Sequence, residues 1–405
     1  MNILFLTQVL PYPLDAGPKT RAYYVLRSLA DAGHSLTLVS FVRESDRPEY
    51  ISHLSRYCAA LHTVRLDRSM TRDGWSFLKS AAGMQPFLIV RDWVPRMARC
   101  VRKTLKEDGP FDAVHADQLW MASYALMARN LARTKPLRVV LDQHNAVFQI
   151  PRRMAQVARN PAVRLALRLE ASKLERYEQR TIKTVDRVTW VTEEDRTALY
   201  GSDLREGHHD GGRVIPIAVD PELYRPIARS TRPHRVTFLG GLHWPPNAEG
   251  IEWFRREAWP LISAEVPKAV LTVIGRNPRS GPVIKEDASV EVTGYIEDPT
   301  PLLADTAAFV IPLRAGGGMR VKLLEAWCWK VPVVSTSIGA EGTRALDGVN
   351  VLIADTPRDF AAAVVRLLRD RDFEERVAGE GRRTVEEHYD WRKTYSAWNE
   401  VYQFG

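Results

Sequence analysis

The sequence is poor in cysteine, with three in 405 residues. Cys58, Cys100 and Cys328 are odd in number and far apart. That argues against a disulfide framework and a cysteine zinc site, and for a reducing compartment. No apolar run approaches the ~20 residues that a membrane-spanning helix needs. The opening Met1-Asn2-Ile3-Leu4-Phe5-Leu6 lacks a basic leader, and its apolar run is too short for a signal peptide, so it reads as a buried strand. A cytoplasmic protein is expected, with any membrane contact peripheral. Gly-x-Gly-x-x-Gly, Gly-x-x-x-x-Gly-Lys-Ser/Thr and His-Glu-x-x-His are also missing. Their absence weighs against a dinucleotide-dependent dehydrogenase, a P-loop nucleotidase and a zinc peptidase.

Hydrophobic residues make up 45% and charged residues 26%, a composition that supports packed cores rather than disorder. At roughly 100–200 residues per domain, the length implies two domains. Lys and Arg outnumber Asp and Glu by 57 to 49, a net charge of +8 that suits an anionic partner. Zinc-finger spacing, aromatic RNA-binding motifs and a sustained basic arm are lacking, so nucleic acid is not expected as that partner.

The chain alternates strand-like and helix-like segments. In the first half, strands are expected near 3–7, 36–41, 61–66, 113–116, 139–141, 188–191 and 213–217, and a helix over 20–32 that stops at Gly33. Thr192 followed by acidic residues marks another helix start. Pro221, Pro226 and Pro233 punctuate a polar stretch, which places the linker there. The same grammar restarts with strands at 235–239, 269–274, 290–292, 307–312 and 331–335 and helices at 251–262 and 321–329. A last helix is expected over 384–404, with Trp391, Tyr395, Trp398 and Tyr402 on one packing face. The economical fold is two tandem Rossmann-like, doubly wound α/β domains.

The most informative segment runs from Ile311-Pro312-Leu313-Arg314-Ala315 through Gly316-Gly317-Gly318-Met319-Arg320 to Val321-Lys322-Leu323-Leu324-Glu325. A strand ends, three glycines follow, and a helix starts with two basic residues. Glycines let a diphosphate approach the backbone, and a helix N-terminus attracts anions. Arg320 and Lys322 add full charges. Lys322 and Glu325 share one helix face, where a carboxylate can accept two vicinal sugar hydroxyls. The structural alternative is a glycine turn with a surface Lys–Glu pair. Gly240-Gly241 and Gly294-Tyr295 end comparable strands and suggest one crevice, with Arg276 nearby.

With these motifs in order, the chain resembles the family-four retaining glycosyltransferases of GT-B fold, in which two Rossmann-like domains face each other across a cleft. The resemblance takes in Pro11-Tyr12-Pro13, Gly17 through Arg21, Asp112 to Asp117, Asp142-Gln143-His144-Asn145, Val191 to Asp195, Val214 to Asp220, Phe238–Asn247, Gly316–Val334 and Ile338 to Gly342. It departs at Gly317, where the family often carries the first of two glutamates, and at Ile217-Ala218, where Asn-Gly is usual. This variant, Gly-Gly-Met-Arg-x-Lys, resembles bacterial polysaccharide-type sugar transferases.

The resemblance implies an acceptor-side domain over 1–225, a nucleotide-sugar domain over 233–385, and a final helix, 386–405, packing back on the first domain. It implies a nucleoside-diphosphate sugar as donor, UDP before GDP, and no further cofactor or metal. Donor contacts are expected from Gly17, Gly240, Gly241, Gly294, Tyr295, Gly316, Gly317, Gly318, Met319, Arg320, Lys322 and Glu325. Arg320, Lys322, Glu325 and His144 are the catalytic candidates: the first two neutralise the diphosphate, Glu325 holds the ribose, and His144 contacts the transferred sugar. Arg21, His115, Asp117 and Asn145 are acceptor-side candidates, for a glycan, lipid-linked or small-molecule hydroxyl.

Trp75, Phe77, Leu78, Phe87, Leu88, Ile89 and Trp93 lie among Arg72, Lys79, Arg91 and Arg96, and Arg152, Arg153, Arg159, Arg164 and Arg168 form a second basic stretch. That mix suits peripheral contact with an anionic membrane, or solvated helices with apolar inner faces. The competing readings of the whole chain are a nucleotide-sugar epimerase, a phosphorylase of the same fold, and a non-catalytic partner protein.

Overall fold

The computed structural model describes residues 1–67, 69–132, 135–200, 212–230, 234–278 and 283–404. The chain divides into two compact units, Met1–Ala218 with Trp391–Gly405, and Val219–Asp390.

Among its described residues, the first unit carries seven parallel strands: β1 (Asn2–Thr7), β2 (Ser35–Val42), β3 (Ala60–Arg65), β4 (Ala113–Asp117), β5 (Arg138–Gln143), β6 (Arg187–Trp190) and β7 (Arg213–Val214). Their order is β3-β2-β1-β4-β5-β6-β7. Successive residues of a strand face opposite sides of the sheet, so both sides must be apolar where helices cover both. In β1, Ile3 and Phe5 enter one core and Leu4 and Leu6 the other. Among the described residues, nine helices connect these strands: α1 (Gly17–Asp31), α2 (Pro48–Leu54), α3 (Met70–Ala82), α4 (Phe87–Asp92), α5 (Pro95–Glu107), α6 (Leu119–Leu131), α7 (Gln149–Val157), α8 (Pro161–Ile182) and α9 (Glu193–Tyr200). Helix α1 closes as expected: Gly33 adopts φ +83° and the His34 amide reaches the Leu29 carbonyl at 3.1 Å. Thr192 caps α9 by accepting the Asp195 amide at 3.0 Å.

The second unit holds β8 (Arg235–Leu239), β9 (Val270–Ile274), β10 (Val290–Gly294), β11 (Thr306–Ile311), β12 (Val333–Ser335) and β13 (Leu352–Ile353) in the order β10-β9-β8-β11-β12-β13. Its helices are α10 (Pro245–Trp253), α11 (Trp259–Glu265), α12 (Thr300–Leu303), α13 (Val321–Cys328), α14 (Ser337–Ala340), α15 (Pro357–Arg369) and α16 (Arg371–His388).

Three sequence expectations need correction. The helix expected over 251–262 begins earlier, at Pro245, and is broken by a π turn, Phe254–Ala258, just ahead of Pro260, whose missing N–H interrupts the ladder. The single terminal helix over 384–404 is two pieces. Helix α16 ends at His388, and short helices α17 (Trp391–Thr394) and α18 (Trp398–Val401) follow. The break falls where the chain passes from the second unit to the first, between Asp390 and Trp391. The aromatic stripe packs inward: Trp391, Tyr395, Trp398 and Tyr402 are all buried in the first unit's core.

The third correction concerns the linker. Residues 219–230 belong to the second unit, through the Ile227 amide on the Trp329 carbonyl and Ser230 on Asp305. Pro233, the far end of the expected linker, lies outside the described residues.

Candidate functional site

In a doubly wound sheet, ligands bind outside the carboxyl ends of the strands where the strand order reverses. In the second unit that point lies between β8 and β11. Gly240-Gly241 follows β8 and the Gly316-Gly317-Gly318 loop follows β11, so two of the expected glycine turns flank the switch point. The third lies on the same edge. The Gly240 amide donates to Ile274 O at 2.9 Å, and the Gly275 amide to Gly294 O at 2.8 Å. A side chain at Gly275 would run into the Gly240 carbonyl, so this edge is drawn tight by the absence of one. Arg276 lies over the Tyr295 ring, 4.4 Å from its centroid, and Tyr295 is 47% exposed.

The loop after β11 is pinned at both ends. Thr336 donates its hydroxyl to the Leu313 carbonyl, and Arg314 pairs with Glu249 of α10, with Nε at 3.1 Å. Gly316 and Gly318 take φ values of +151° and +70°. Arg320 is the N-cap residue of α13 and folds back, its Nη1 donating to the Gly317 carbonyl at 2.5 Å. In this arrangement the guanidinium braces the glycine loop. Lys322 does meet Glu325, with Nζ donating to Oε2 at 2.7 Å. Glu325 is 2% exposed and the Lys322 side chain 29%. The three glycines and Met319 are buried, while Arg320 and Lys322 are partly exposed. Trp327, fully buried with its indole N–H on the Asn350 carbonyl at 2.8 Å, fixes the rotation of α13 and hence the face that carries Lys322 and Glu325.

In the first unit the order reverses between β1 and β4. Gly17 opens α1 after β1. Arg21, one turn on, is fully buried and grips Asp142 at the end of β5, with Nη2 to Oδ1 at 2.6 Å and Nε to Oδ2 at 2.8 Å. Its Nη1 donates to the Ile215 carbonyl at 2.7 Å, and Thr189 donates to Asp142 at 2.8 Å. His144 Nε2 stands 2.9 Å from Asp117 Oδ1 and 3.5 Å from Asp142 Oδ2. His115 stacks on Phe5 at 4.1 Å, and its Nδ1 meets the Tyr402 hydroxyl at 2.8 Å.

Arg21, His115 and Asp117 are fully buried. Two carboxylates at adjacent strand ends, Asp117 and Asp142, need counter-charges in a low-dielectric interior, and Arg21 and His144 supply them. Of the network, His144 keeps the most exposure, 6%, and Asn145 beside it is partly exposed. His115, Asp117 and Asp142 bring ligand atoms within 4.8 Å of one another, but Arg21 and Thr189 already occupy Asp142.

Burial opposes the His144 charge, but Asp117 and Asp142 outweigh it and raise the imidazole to about 9. Burial also acts on Asp142, yet Arg21 and His144 hold its carboxyl well below the usual range. Burial pushes His115 down to about 4 despite both carboxylates. A native pKa above the unfolded value gives stability that is full at low pH and lost as pH rises through the native value. The first unit is therefore expected to weaken between pH ~7 and ~9, by up to about 1.4 kcal/mol per pH unit for one proton. Urea unfolding read by hydrogen exchange at β4 and β5 measures this slope, and His144→Gln should flatten it. An unchanged slope would contradict the charged imidazole.

Sequence reasoning missed what holds the His144 loop. Glu178 of α8, fully buried, accepts from Gln143 Nε2 at 2.6 Å and from the Val147 and Phe148 amides at 2.8 and 2.9 Å. Asp195 accepts the Ala146 amide at 2.7 Å. A carboxylate in the middle of a long helix gives no periodic signal that marks it as buried.

Each unit is a parallel α/β sheet with a glycine-rich or charged site at its switch point, and together the two sheets define a GT-B fold. Residues 233–370, within the second unit, match the family model described as "Glycosyl transferases group 1". Among solved structures, the chain is similar to HepE of Anabaena in complex with UDP and glucose, at TM-score 0.68 and 14% identity over 98% of both chains. It is also similar to TarM of S. aureus in complex with fondaparinux, α-GlcNAc-glycerol and UDP, at TM-score 0.70 and 11% identity over 100% of both. A trehalose 6-phosphate synthase from Burkholderia multivorans aligns at TM-score 0.61 and 14% identity, over 98% of this chain and 97% of that one. In sequence, the chain is 28% identical over 174 residues to an uncharacterized 44.6 kDa protein in the cps region of Klebsiella pneumoniae. That match spans 40% of this chain and 44% of the Klebsiella protein.

Proposed function

We propose that this chain transfers a hexose-type sugar from a nucleoside-diphosphate sugar, UDP-linked before GDP-linked, to a hydroxyl acceptor with retention, in the synthesis of a bacterial polysaccharide or glycoconjugate. The observation that carries the reading is the pair of glycine turns flanking the β8/β11 switch point, with Lys322 and Glu325 on one face of the helix that follows. The group 1 domain match, the UDP-bound neighbours and the cps-region relative support it.

In this reading the base lies against Gly294 and Tyr295, and Glu325 accepts the ribose hydroxyls. The N-terminus of α13, with Lys322, neutralises the diphosphate, while Arg320 keeps the loop in shape. His144, charged at neutral pH, donates to a hydroxyl of the transferred sugar. The bond from the anomeric carbon to the diphosphate breaks, the acceptor oxygen attaches on the same face, and a leaving phosphate oxygen takes the acceptor proton. The main barrier term is charge developing on the diphosphate, met by donors already in place. Because protein cations meet it, chelation with EDTA is expected to leave turnover unchanged. The exposed apolar residues of α3 and the basic face of α8 support peripheral contact with an anionic membrane.

The test is nucleotide release from UDP-glucose and other sugar nucleotides, with and without glycan or lipid-linked hydroxyl acceptors, with the product anomer assigned by NMR. Acceptor-dependent release with retained configuration is expected. Conversion of donor alone to an isomer would establish an epimerase instead. Nucleotide binding without turnover on any acceptor would leave a non-catalytic partner.

A further inference from the structure

Helix α8 carries a second, unassigned feature. At 3.6 residues per turn, Leu165, Leu169, Lys173, Arg176 and Arg180 fall on one stripe, apolar at its start and cationic at its end. Leu165 and Leu169 are 59% and 57% exposed. Beside the cationic end lies a cavity of about 300 Å³, lined by Lys173, Arg176 and Arg180 together with Met84, Leu126 and Tyr177. No acidic side chain lines it among the described residues. The neighbouring carboxylates of α8 are engaged elsewhere: Glu170 accepts the Phe87 and Leu88 amides, and Glu175 pairs with Arg152. Lys173 donates to the Ser80 carbonyl in the last turn of α3, which ties the cavity to that helix. Arg176 donates to the neutral Ser172 hydroxyl at 3.2 Å and forms no ion pair among the described residues.

Helix α3, joined to the cavity in this way, presents its own apolar face. Trp75 and Leu78 are 67% and 60% exposed, and Met84, after its end, is 64% exposed. An amphipathic surface with cations beside exposed apolar residues matches the boundary of an anionic bilayer, where acyl chains and phosphates lie side by side.

We propose that the cavity at the cationic end of α8 is a phosphate headgroup site, and that it seats the first unit on a bilayer containing anionic phospholipid. The phosphate would sit among Lys173, Arg176 and Arg180, with Trp75, Leu78, Leu165 and Leu169 entering the acyl boundary. The inference rests on the peripheral-contact reading above and names the site responsible for it. It is separate from the donor site, which belongs to the second unit.

The experiment is co-sedimentation with phosphatidylcholine vesicles, with and without phosphatidylglycerol, at low and high salt. Wild-type protein should bind only the anionic vesicles and be released by salt. The Arg176→Ala/Arg180→Ala double variant should bind them more weakly by roughly ten- to thirty-fold, at about 1 kcal/mol per lost basic contact. Trp75→Ser/Leu78→Ser should also weaken binding. Circular dichroism melting and the UDP-induced thermal shift, unchanged in both variants, would show an intact fold and donor site. If the double arginine variant binds like wild type, the headgroup site is wrong although membrane contact stands. If wild type binds no anionic vesicle even at low salt, the membrane reading fails with it. Stabilisation by inorganic phosphate that depends on these arginines, without vesicle binding, would make this a soluble-anion site and overturn the lipid assignment.

Discussion

Asp142→Ala is expected to destabilise the first unit by about 3–5 kcal/mol, the range for breaking a buried pair from one side. The substitution leaves the Arg21 guanidinium fully buried with its carboxylate partner gone. Thr189 loses its acceptor, and His144 loses one of its two anions. Asp142→Asn, which keeps an acceptor oxygen, should cost less. Because the chain holds two units, a single melting temperature would mix them. Hydrogen exchange at β4, β5 and β6, read across urea concentrations, isolates the effect. UDP should still stabilise the second unit of the variant. A loss below about 1 kcal/mol would mean that Arg21 and Asp142 are not the counter-charges described here.

The second large effect is expected at Glu325. Hydrogen bonds to a charged acceptor contribute about 1.5–3 kcal/mol, so Glu325→Ala should weaken nucleotide binding roughly ten- to hundred-fold. The measurement is titration calorimetry with UDP. Glu325→Gln, which keeps an acceptor oxygen but frees Lys322, should fall between the two. Lys322→Ala is less clean, because it also leaves the nearly buried Glu325 carboxylate without its lysine. An Arg320→Ala variant should act through the loop, since its guanidinium lies on the Gly317 carbonyl. Unchanged affinity in Glu325→Ala would remove this residue from the donor site.

Much of the fold was legible because its signals are local. Central parallel strands such as β1 and β11 are apolar on both faces and bounded by turns, so they read directly. The glycine loop before α13 and the Lys322–Glu325 pair follow from helical spacing alone. The terminal aromatic stripe was visible, but the break at Tyr389-Asp390 was not, because it depends on which unit the following residues join. The linker misled for the same reason: prolines mark irregular backbone, yet residues 219–230 pack on the second unit. Acceptor-side candidates were hardest to place. A polar residue at a strand end looks the same in sequence whether it meets a ligand or a counter-charge. Arg21, His115 and Asp117 have partners inside the first unit as distant in sequence as Asp142, Tyr402 and His144.

The most direct test of the donor site is thermal stabilisation of the second unit by UDP, GDP, TDP, ADP and NAD at matched concentrations, in wild type and Glu325→Ala. A nucleotide at a hundred times its dissociation constant adds about 2.7 kcal/mol of stability. The account predicts that UDP gives the largest shift and that Glu325→Ala loses most of it. No shift from any nucleoside diphosphate, or an equal shift in the variant, would contradict a donor site at the β8/β11 switch point.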